Sequence, residues 1–283
     1  MRSGVCIVAT CWLFASAHAQ ETTPTASRPE NGYWSAGEPR FFVSQRSELG
    51  TPYAKPYLSV GYGLPHWIWT GIDVNAIFTL EMAQVYAGVR AATPVLDLAL
   101  GVRDTWSVDK PFLYRAEHLH RADVLGAPGA KARYWALEAE AVGIVPLPHS
   151  ALVFDFITVH ALDAPRGSYV YDEAYRAVVK NPLFFVLRAA PLLRILNENS
   201  FKIGVVTETV FGTGRDKPVV RVGPAASLQL TDHLEINVVG TFAVSSPDAL
   251  GLFLSTYGVA GIRYKWATGE QRPRWPWQEP IIP

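Results

Sequence analysis

Apolar and polar residues alternate with a period of two over segments longer than most soluble strands, and this feature most restricts what the chain can fold into. Along residues 68–82, Ile68, Thr70, Ile72, Val74, Ala76, Phe78, Leu80 and Met82 share one face, while Gly71, Asp73, Asn75, Thr79 and Glu81 share the other. Successive side chains of a strand point to opposite faces, so such a segment builds a sheet with one apolar and one polar surface. The pattern returns near the end, where Val220, Val222, Ala226, Leu228 and Leu230 alternate with Arg221, Gly223, Ser227 and Gln229. Leu234, Ile236, Val238, Phe242 and Val244 then oppose Glu235, Asn237, Thr241 and Ser245. Finally Leu252, Leu254, Ala260, Ile262 and Tyr264 oppose Ser255, Tyr257, Gly261 and Arg263. Short turns at 231–233 and 246–248 would join these runs into an antiparallel meander.

Less regular strands are expected at 56–62, 85–91, 95–106, 133–145, 151–161, 168–177, 183–190 and 201–212. The total is about 12, in a range of about 10 to 14. Several segments exceed the roughly 5 to 6 residues of soluble strands and suit the roughly 9 to 11 that cross a bilayer with tilt. The polar face carries Asp, Asn, Glu, Arg, Gln, Ser and Gly, which fits a wet lumen better than a packed core. Tyr62, Trp67, Trp69, Trp106, Tyr134, Trp135, Tyr264 and Trp266 fall at strand ends, where an interfacial girdle would place them. A soluble β-protein with a ligand cavity would also alternate, with its polar face in water, and stands as an alternative.

The chain is 49% hydrophobic and 18% charged, against about 25% charged in soluble domains. That balance suits a fold with two apolar environments, an inside and an outside. Arg2, the apolar run 5–17 and the small residues of Ala17-His18-Ala19 have the layout of a secretory signal peptide cleaved near Ala19. Both cysteines, Cys6 and Cys11, lie within it, so the mature chain would hold neither a disulfide nor a thiolate metal site. Removing Arg2 leaves 24 basic against 25 acidic residues, a net charge of −1, and no basic run exceeds two residues. Nucleic acid is therefore not an expected partner. Beyond the leader no stretch reaches about 18 consecutive apolar residues, which argues against transmembrane helices. The expected organisation is a signal peptide at 1–19, a flexible segment at 20–55 within which 31–55 could be a short plug, an extra strand or a loop, a barrel at 56–266 and a Pro- and Trp-containing tail at 267–283.

The leader, the cysteine-free remainder, the 234–266 meander and the aromatic end of Ile262-Arg263-Tyr264-Lys265-Trp266 together resemble bacterial outer-membrane β-barrel proteins. The resemblance covers roughly 57–266 and is one of class, not of subfamily. It implies an all-β, antiparallel up-and-down transmembrane β-barrel in the outer membrane of a Gram-negative bacterium. Its partners would be outer-membrane lipids and the barrel assembly machinery, which in this class reads an aromatic, often Phe, at the end of the closing strand. The tail after Trp266 departs from that form. No cofactor is implied. The leading expectation is a non-enzymatic small pore, receptor or envelope component, with a small solute as a further partner. The alternative within the class is an outer-membrane enzyme acting on lipids.

The charged residues assigned to the inner face are Asp73, Glu81, Arg90, Asp97, Arg103, Glu138, Glu140, Glu208, Arg221, Glu235 and Arg263. They would form either a selective constriction or a salt-bridge network closing a narrow bore, and the network is favoured. Glu138 and Glu140 share a strand face, so their carboxylates could do acid–base work, although pairing with arginine is the simpler reading. His118, His120 and Asp123 would project together if extended and could ligate a metal; a plain polar loop is the competing view. His149 and Ser150 are adjacent and so point to opposite faces, which disfavours a hydrolytic pair. Residues 212–217 read as a hairpin turn rather than a phosphate loop. The aromatic and acidic stretch Tyr169, Tyr171, Asp172, Glu173 and Tyr175 reads as a girdle or loop cap.

Overall fold

The computed structural model describes residues 33–51, 53–195 and 201–269. The expected signal peptide with both cysteines, the start of the segment expected to be flexible and the tail from 270 lie outside the described residues. Strands run in chain order as β1 (Arg40–Thr51), β2 (Ala54–Leu64), β3 (Ile68–Phe78), β4 (Met82–Ala92), β5 (Leu96–Pro111), β6 (Lys131–Leu147) and β7 (Ser150–Ala161). They continue as β8 (Tyr169–Asp172), β9 (Ala177–Lys180), β10 (Leu183–Arg194), β11 (Phe201–Phe211), β12 (Val219–Gln229), β13 (Leu234–Ser245) and β14 (Tyr257–Ala267). Two single-turn helices, α1 (Arg121–Leu125) and α2 (Gly251–Ser255), lie in loops.

Twelve of these strands close into one antiparallel barrel in which β1 pairs with β14, while β8 and β9 form a separate two-stranded hairpin. The barrel expected from the sequence is therefore present, with two changes of membership. Its first strand begins at Arg40 instead of residue 56, so that of the plug, extra strand or loop left open for 31–55 the strand is what forms. The expected strand at 168–177 is not in the wall at all. The alternation at 68–82 also breaks after Phe78, so Met82 starts the next strand and faces inward, buried. Residues 252–254, expected as strand, belong to α2.

The register explains the outer surface. Val43, Val60, Ile72, Val89 and Leu100 are successive cross-strand neighbours from β1 to β5, and each is exposed. Apolar side chains thus form a continuous exposed belt around a sheet whose opposite face holds buried Ser59, Asp73, Asn75 and Gln84. This inverts the usual burial of a soluble domain and matches the lipid-facing band of a membrane barrel. Tyr62 and Trp135 contribute to the exposed face, but Trp69 and Tyr134 turn inward and are buried, so the girdle expected from strand-end aromatics is only partly formed.

Connections at the two ends differ. Turns at 65–67, 93–95, 148–149 and 230–233 are short, and Arg40 and Ala267 lie at that same end. The opposite end carries the long connections 112–130, 162–182 and 246–256. This asymmetry is that of outer-membrane-type barrels.

The belt makes a quantitative expectation. Ile72 is 58% exposed near the middle of β3, so Ile72→Arg should weaken folding into phospholipid vesicles by about 2–4 kcal/mol. Urea titration in vesicles measures this, and an unchanged midpoint would show that the belt does not face lipid.

Candidate functional site in the barrel lumen

Inward-facing charges are set opposite one another by the strand register. Asp155 of β7, Arg188 of β10, Glu208 of β11 and Arg221 of β12 are consecutive cross-strand partners with alternating sign. Arg188 donates to Asp155 at 3.0 Å and to Glu208 at 2.7 Å, and Arg221 donates to Glu208 at 2.5 Å. A second row of alternating sign runs Glu235, Arg263, Glu48 and Lys55 across β13, β14, β1 and β2. In it Arg263 donates to Glu48 at 3.0 Å and to Glu235 at 3.2 Å.

Two further knots sit between the rows. Arg90 donates to Asp73 at 3.0 Å, Asp97 at 2.8 Å and Glu140 at 3.0 Å, while Ser59 donates to the other Asp73 oxygen at 2.7 Å. Arg103 grips Glu138 through two guanidinium nitrogens, with Nε to Oε2 at 2.5 Å, and its Nη1 donates to Gln84. Tyr86 lies beneath this pair over Gly88 and Gly101. A Cβ on Gly88 would come within 2.4 Å of the Tyr86 hydroxyl, and one on Gly101 within 2.7 Å of its ring. Glycine is thus required at both positions for the ring to lie flat on the wall.

These contacts place ten of the eleven charges singled out from the sequence in the inner network. The eleventh, Glu81, sits in the β3–β4 turn and pairs with Lys110 at the long-loop end. Glu138 and Glu140 share a face as expected, yet each is held by a different arginine, so they do not form a carboxylate pair. Sequence reasoning missed Arg46, Glu48 and Lys55, because 31–55 stayed open between plug, strand and loop and no inward face could be read from it. It also missed Asp155 and Arg188, lone charges in apolar strands whose inward parity was the available signal.

The lumen is not uniformly polar. The β8–β9 hairpin folds into it and packs Val170, Ala177 and Val179 against Ile157, Val159, Phe184, Val186, Val210 and Val219 of the wall. Full burial of each valine contributes roughly 1.5–3 kcal/mol, so the hairpin is anchored by its apolar side. Tyr169, Tyr171 and Val178 pack instead against Leu113, Leu119, Val124, Leu250 and Leu254 of the long loops. Polar pins add to this. Tyr134 donates to Asp172 at 3.0 Å, and Asp172 accepts the Ala174 amide at 2.9 Å inside the hairpin turn. Arg221 donates to the carbonyls of Ser255 and Arg176, both at 2.6 Å, tying wall, loop and hairpin together. Arg215 and Asp248 form an ion pair, and Asp248 also accepts the Leu119 amide at 3.1 Å.

What remains open lies on the other side of the hairpin. A cavity of about 370 Å³ is bordered by Glu48, Glu140 and Arg263 on the wall and by Glu173, Tyr175 and Arg176 on the hairpin turn. A second cavity, of about 230 Å³, continues toward the short-turn end beside His66, Trp67, Trp69 and Lys265. Arg46, Tyr57 and Arg90 border both. Burial pushes the His66 imidazole down to about 3, so this ring is neutral, and its Nε2 meets the Trp266 carbonyl at 3.1 Å.

Glu173 stands apart electrostatically. Burial pushes its carboxyl up to about 7, the nearby Glu81 carboxylate adds to the rise, and Arg176, at 2.9 Å, opposes it.

The remaining candidates resolve as structural elements. His118 meets the Pro247 carbonyl at 2.8 Å through Nδ1, and Asp123 accepts the His120 amide at 2.7 Å at the start of α1. The segment is not extended, and among the described residues no three His, Cys, Asp or Glu side chains gather as a metal site. His149 occupies the β6–β7 turn with φ at 58°, and Ser150 Oγ faces the Pro148 carbonyl, not the imidazole. Residues 212–218 connect β11 to β12. Tyr169 to Tyr175 form the inward hairpin, not a girdle.

No family model matches the chain, and no curated protein matches it. Among solved structures, KdgM porin is similar at 8% identity and a TM-score of 0.41, over 80% of this chain and 99% of that one. The outer membrane protein Omp33 of Acinetobacter baumannii is similar at 11% identity and a TM-score of 0.38, over 81% and 98%. A loop-deletion form of OmpT, an outer membrane protein of Vibrio cholerae, is similar at 8% identity and a TM-score of 0.37, over 81% and 99%. At these scores the likeness carries no functional argument.

Two measurements follow from the lumen geometry. Glu138→Ala leaves the Arg103 guanidinium buried without its carboxylate and should cost about 3–5 kcal/mol in detergent unfolding. The double change Arg103→Met, Glu138→Leu should cost clearly less than the sum of its parts. Glu173 gives a pH signature. Its folded value lies above the ordinary 4.5, so the docked hairpin binds the extra proton, and its docking weakens as pH rises from about 4.5 through 7. Hydrogen exchange of the hairpin amides, corrected for intrinsic rate, should be faster at pH 8 than at pH 5 by about tenfold or more. Glu173→Gln should remove that difference.

Proposed function

We propose that this chain is an outer-membrane β-barrel of a Gram-negative envelope through which small polar solutes diffuse along a narrow, off-centre passage. The observation that carries the reading is the pair of consecutive cavities on the polar side of the inward hairpin, meeting at Arg46, Tyr57 and Arg90. Supporting it, the outside of the sheet carries an apolar belt and the inside carries charge. The short turns would face the periplasm and the long loops the exterior, following the usual disposition of such barrels. The hairpin would act as a constriction: its apolar side is fixed to β6, β7 and β10 to β12, and its turn sets the remaining width. Filled barrels and open porins differ in strand number, and twelve strands with one inserted hairpin fall between them.

Single-channel recording of the folded chain in planar bilayers tests this. Small, steady conductance is expected. Excising residues 164–180 with a Gly-Ser-Gly bridge is geometrically possible because His160 and Leu183 are cross-strand partners. That variant should conduct severalfold more while keeping heat-modifiable migration. Failure of both proteins to conduct overturns the pore reading.

A further inference from the structure

The closure of the barrel sets two cations against each other. Arg46 of β1 and Lys265 of β14 are direct cross-strand partners, and both border the short-turn cavity. Like charges directly opposite one another destabilise a sheet, and the two neighbouring carboxylates, Glu48 and Glu235, are shared among three cations, Arg46, Lys265 and Arg263. Glu48 is 3.8 Å from Arg46 but is engaged by Arg263 at 3.0 Å. Glu235 is 3.9 Å from Lys265 and is likewise engaged by Arg263, at 3.2 Å. Arg46 Nε is buried and has no hydrogen-bond partner among the described residues, while its guanidinium lies 3.8 Å above the Tyr57 ring. Asp73 and Asp97, the acids that border the same cavity, are both committed to Arg90. His66, neutral as noted above, adds no charge.

A partly exposed arginine and the lysine opposed to it, both bordering one cavity, are the partners an oxyanion would meet. The rest of the wall decides which oxyanion. Trp67, Trp69, Pro94 and Leu96 also border the cavity, so an apolar body has surface to cover beside the charged end. We infer that Arg46 and Lys265 bind the carboxylate of a small organic acid whose apolar part lies against Trp67 and Trp69, giving the passage a selective site for such anions. This deepens the pore reading by naming its solute class.

Titration calorimetry on the full chain folded in detergent tests the site without requiring conduction, so a failed channel recording leaves it open to test. The probes are benzoate, benzyl alcohol and inorganic phosphate. Benzoate should bind saturably and about tenfold or more tighter than either of the others. Arg46→Gln and Lys265→Gln should each weaken benzoate by about tenfold, whereas Arg46→Lys should retain most of the affinity. Removing one of two opposed cations should leave Tm unchanged or raised, which separates loss of a site from loss of fold. Equal binding of benzyl alcohol, or wild-type affinity in Lys265→Gln, overturns the proposal. Phosphate binding as tight as benzoate overturns the organic-acid assignment.

Discussion

Every strand of this wall must give its backbone donors and acceptors to a neighbour on each side, and that requirement is met only because β1 reaches β14. The seam holds eight register pairs, from Ser44 opposite Ala267 to Thr51 opposite Ala260. In hydrocarbon an unpaired peptide group costs several kcal/mol, so a single open seam would expose a whole column of such losses. Closure also fixes which side chains meet. It brings Glu48 across from Arg263, which joins the two ends of the barrel by charge, and by the same register it brings Arg46 across from Lys265.

Inside the closed wall, two chemistries divide the space. From β6 through β12 the inner face is largely apolar near the long-loop end and receives the hairpin; on β1 to β5, β13 and β14 it is polar. The division decides where water can remain. Apolar contacts between Val170 or Val179 and the wall leave no room beside them, whereas arginines that bind several carboxylates hold their carbon stems against the wall and leave solvent-sized space between knots. Arg221 shows why the two regions are coupled. It is fully buried, and a buried guanidinium is tolerable only when its donors are occupied; its partners are Glu208 on the wall and the carbonyls of Arg176 and Ser255. Moving the hairpin therefore strips a buried guanidinium of one of its three acceptors, the Arg176 carbonyl.

Much of this was legible in the sequence, and the failures have local physical causes. The alternation along β3, β12 and β13 fixed the exposed and hidden faces, and the inner charges read from it lie where the register can pair them. β1 stayed undecided between plug, extra strand and loop because two of its outward positions are Gln45 and Ser47, which dilute the apolar column that marked the other strands. Residues 168–177 alternate as a strand should, and much of that segment is strand. What the pattern cannot carry is the identity of the partner: β8 pairs with β9, not with the wall. Strand-end aromatics misled for a related reason, since position along a strand does not fix the face, and Trp69 and Tyr134 have the inward parity. The His118 to Asp123 spacing implied a shared face only for extended chain, and a short helix places those groups differently.

The opposed cations at the seam bear on how far stability alone explains the lumen. A directly opposed like-charge pair costs on the order of 0.2–1 kcal/mol, a small loss against eight backbone rungs and the Arg263 bridges to Glu48 and Glu235. The seam can therefore hold Arg46 and Lys265 together without losing closure. Stability would nonetheless favour a neutral residue at either position, since the pair adds repulsion. Two other rows of the register set opposite signs together, in Asp155, Arg188, Glu208 and Arg221 and in Glu235, Arg263, Glu48 and Lys55, whereas Arg194 of β10 faces Lys202 of β11 as a second like-charge pair. Of these two like-charge pairs it is Arg46 and Lys265 that border the cavity beside Trp67 and Trp69, and there the chemistry of the lumen, not the strength of the fold, would account for the residues present.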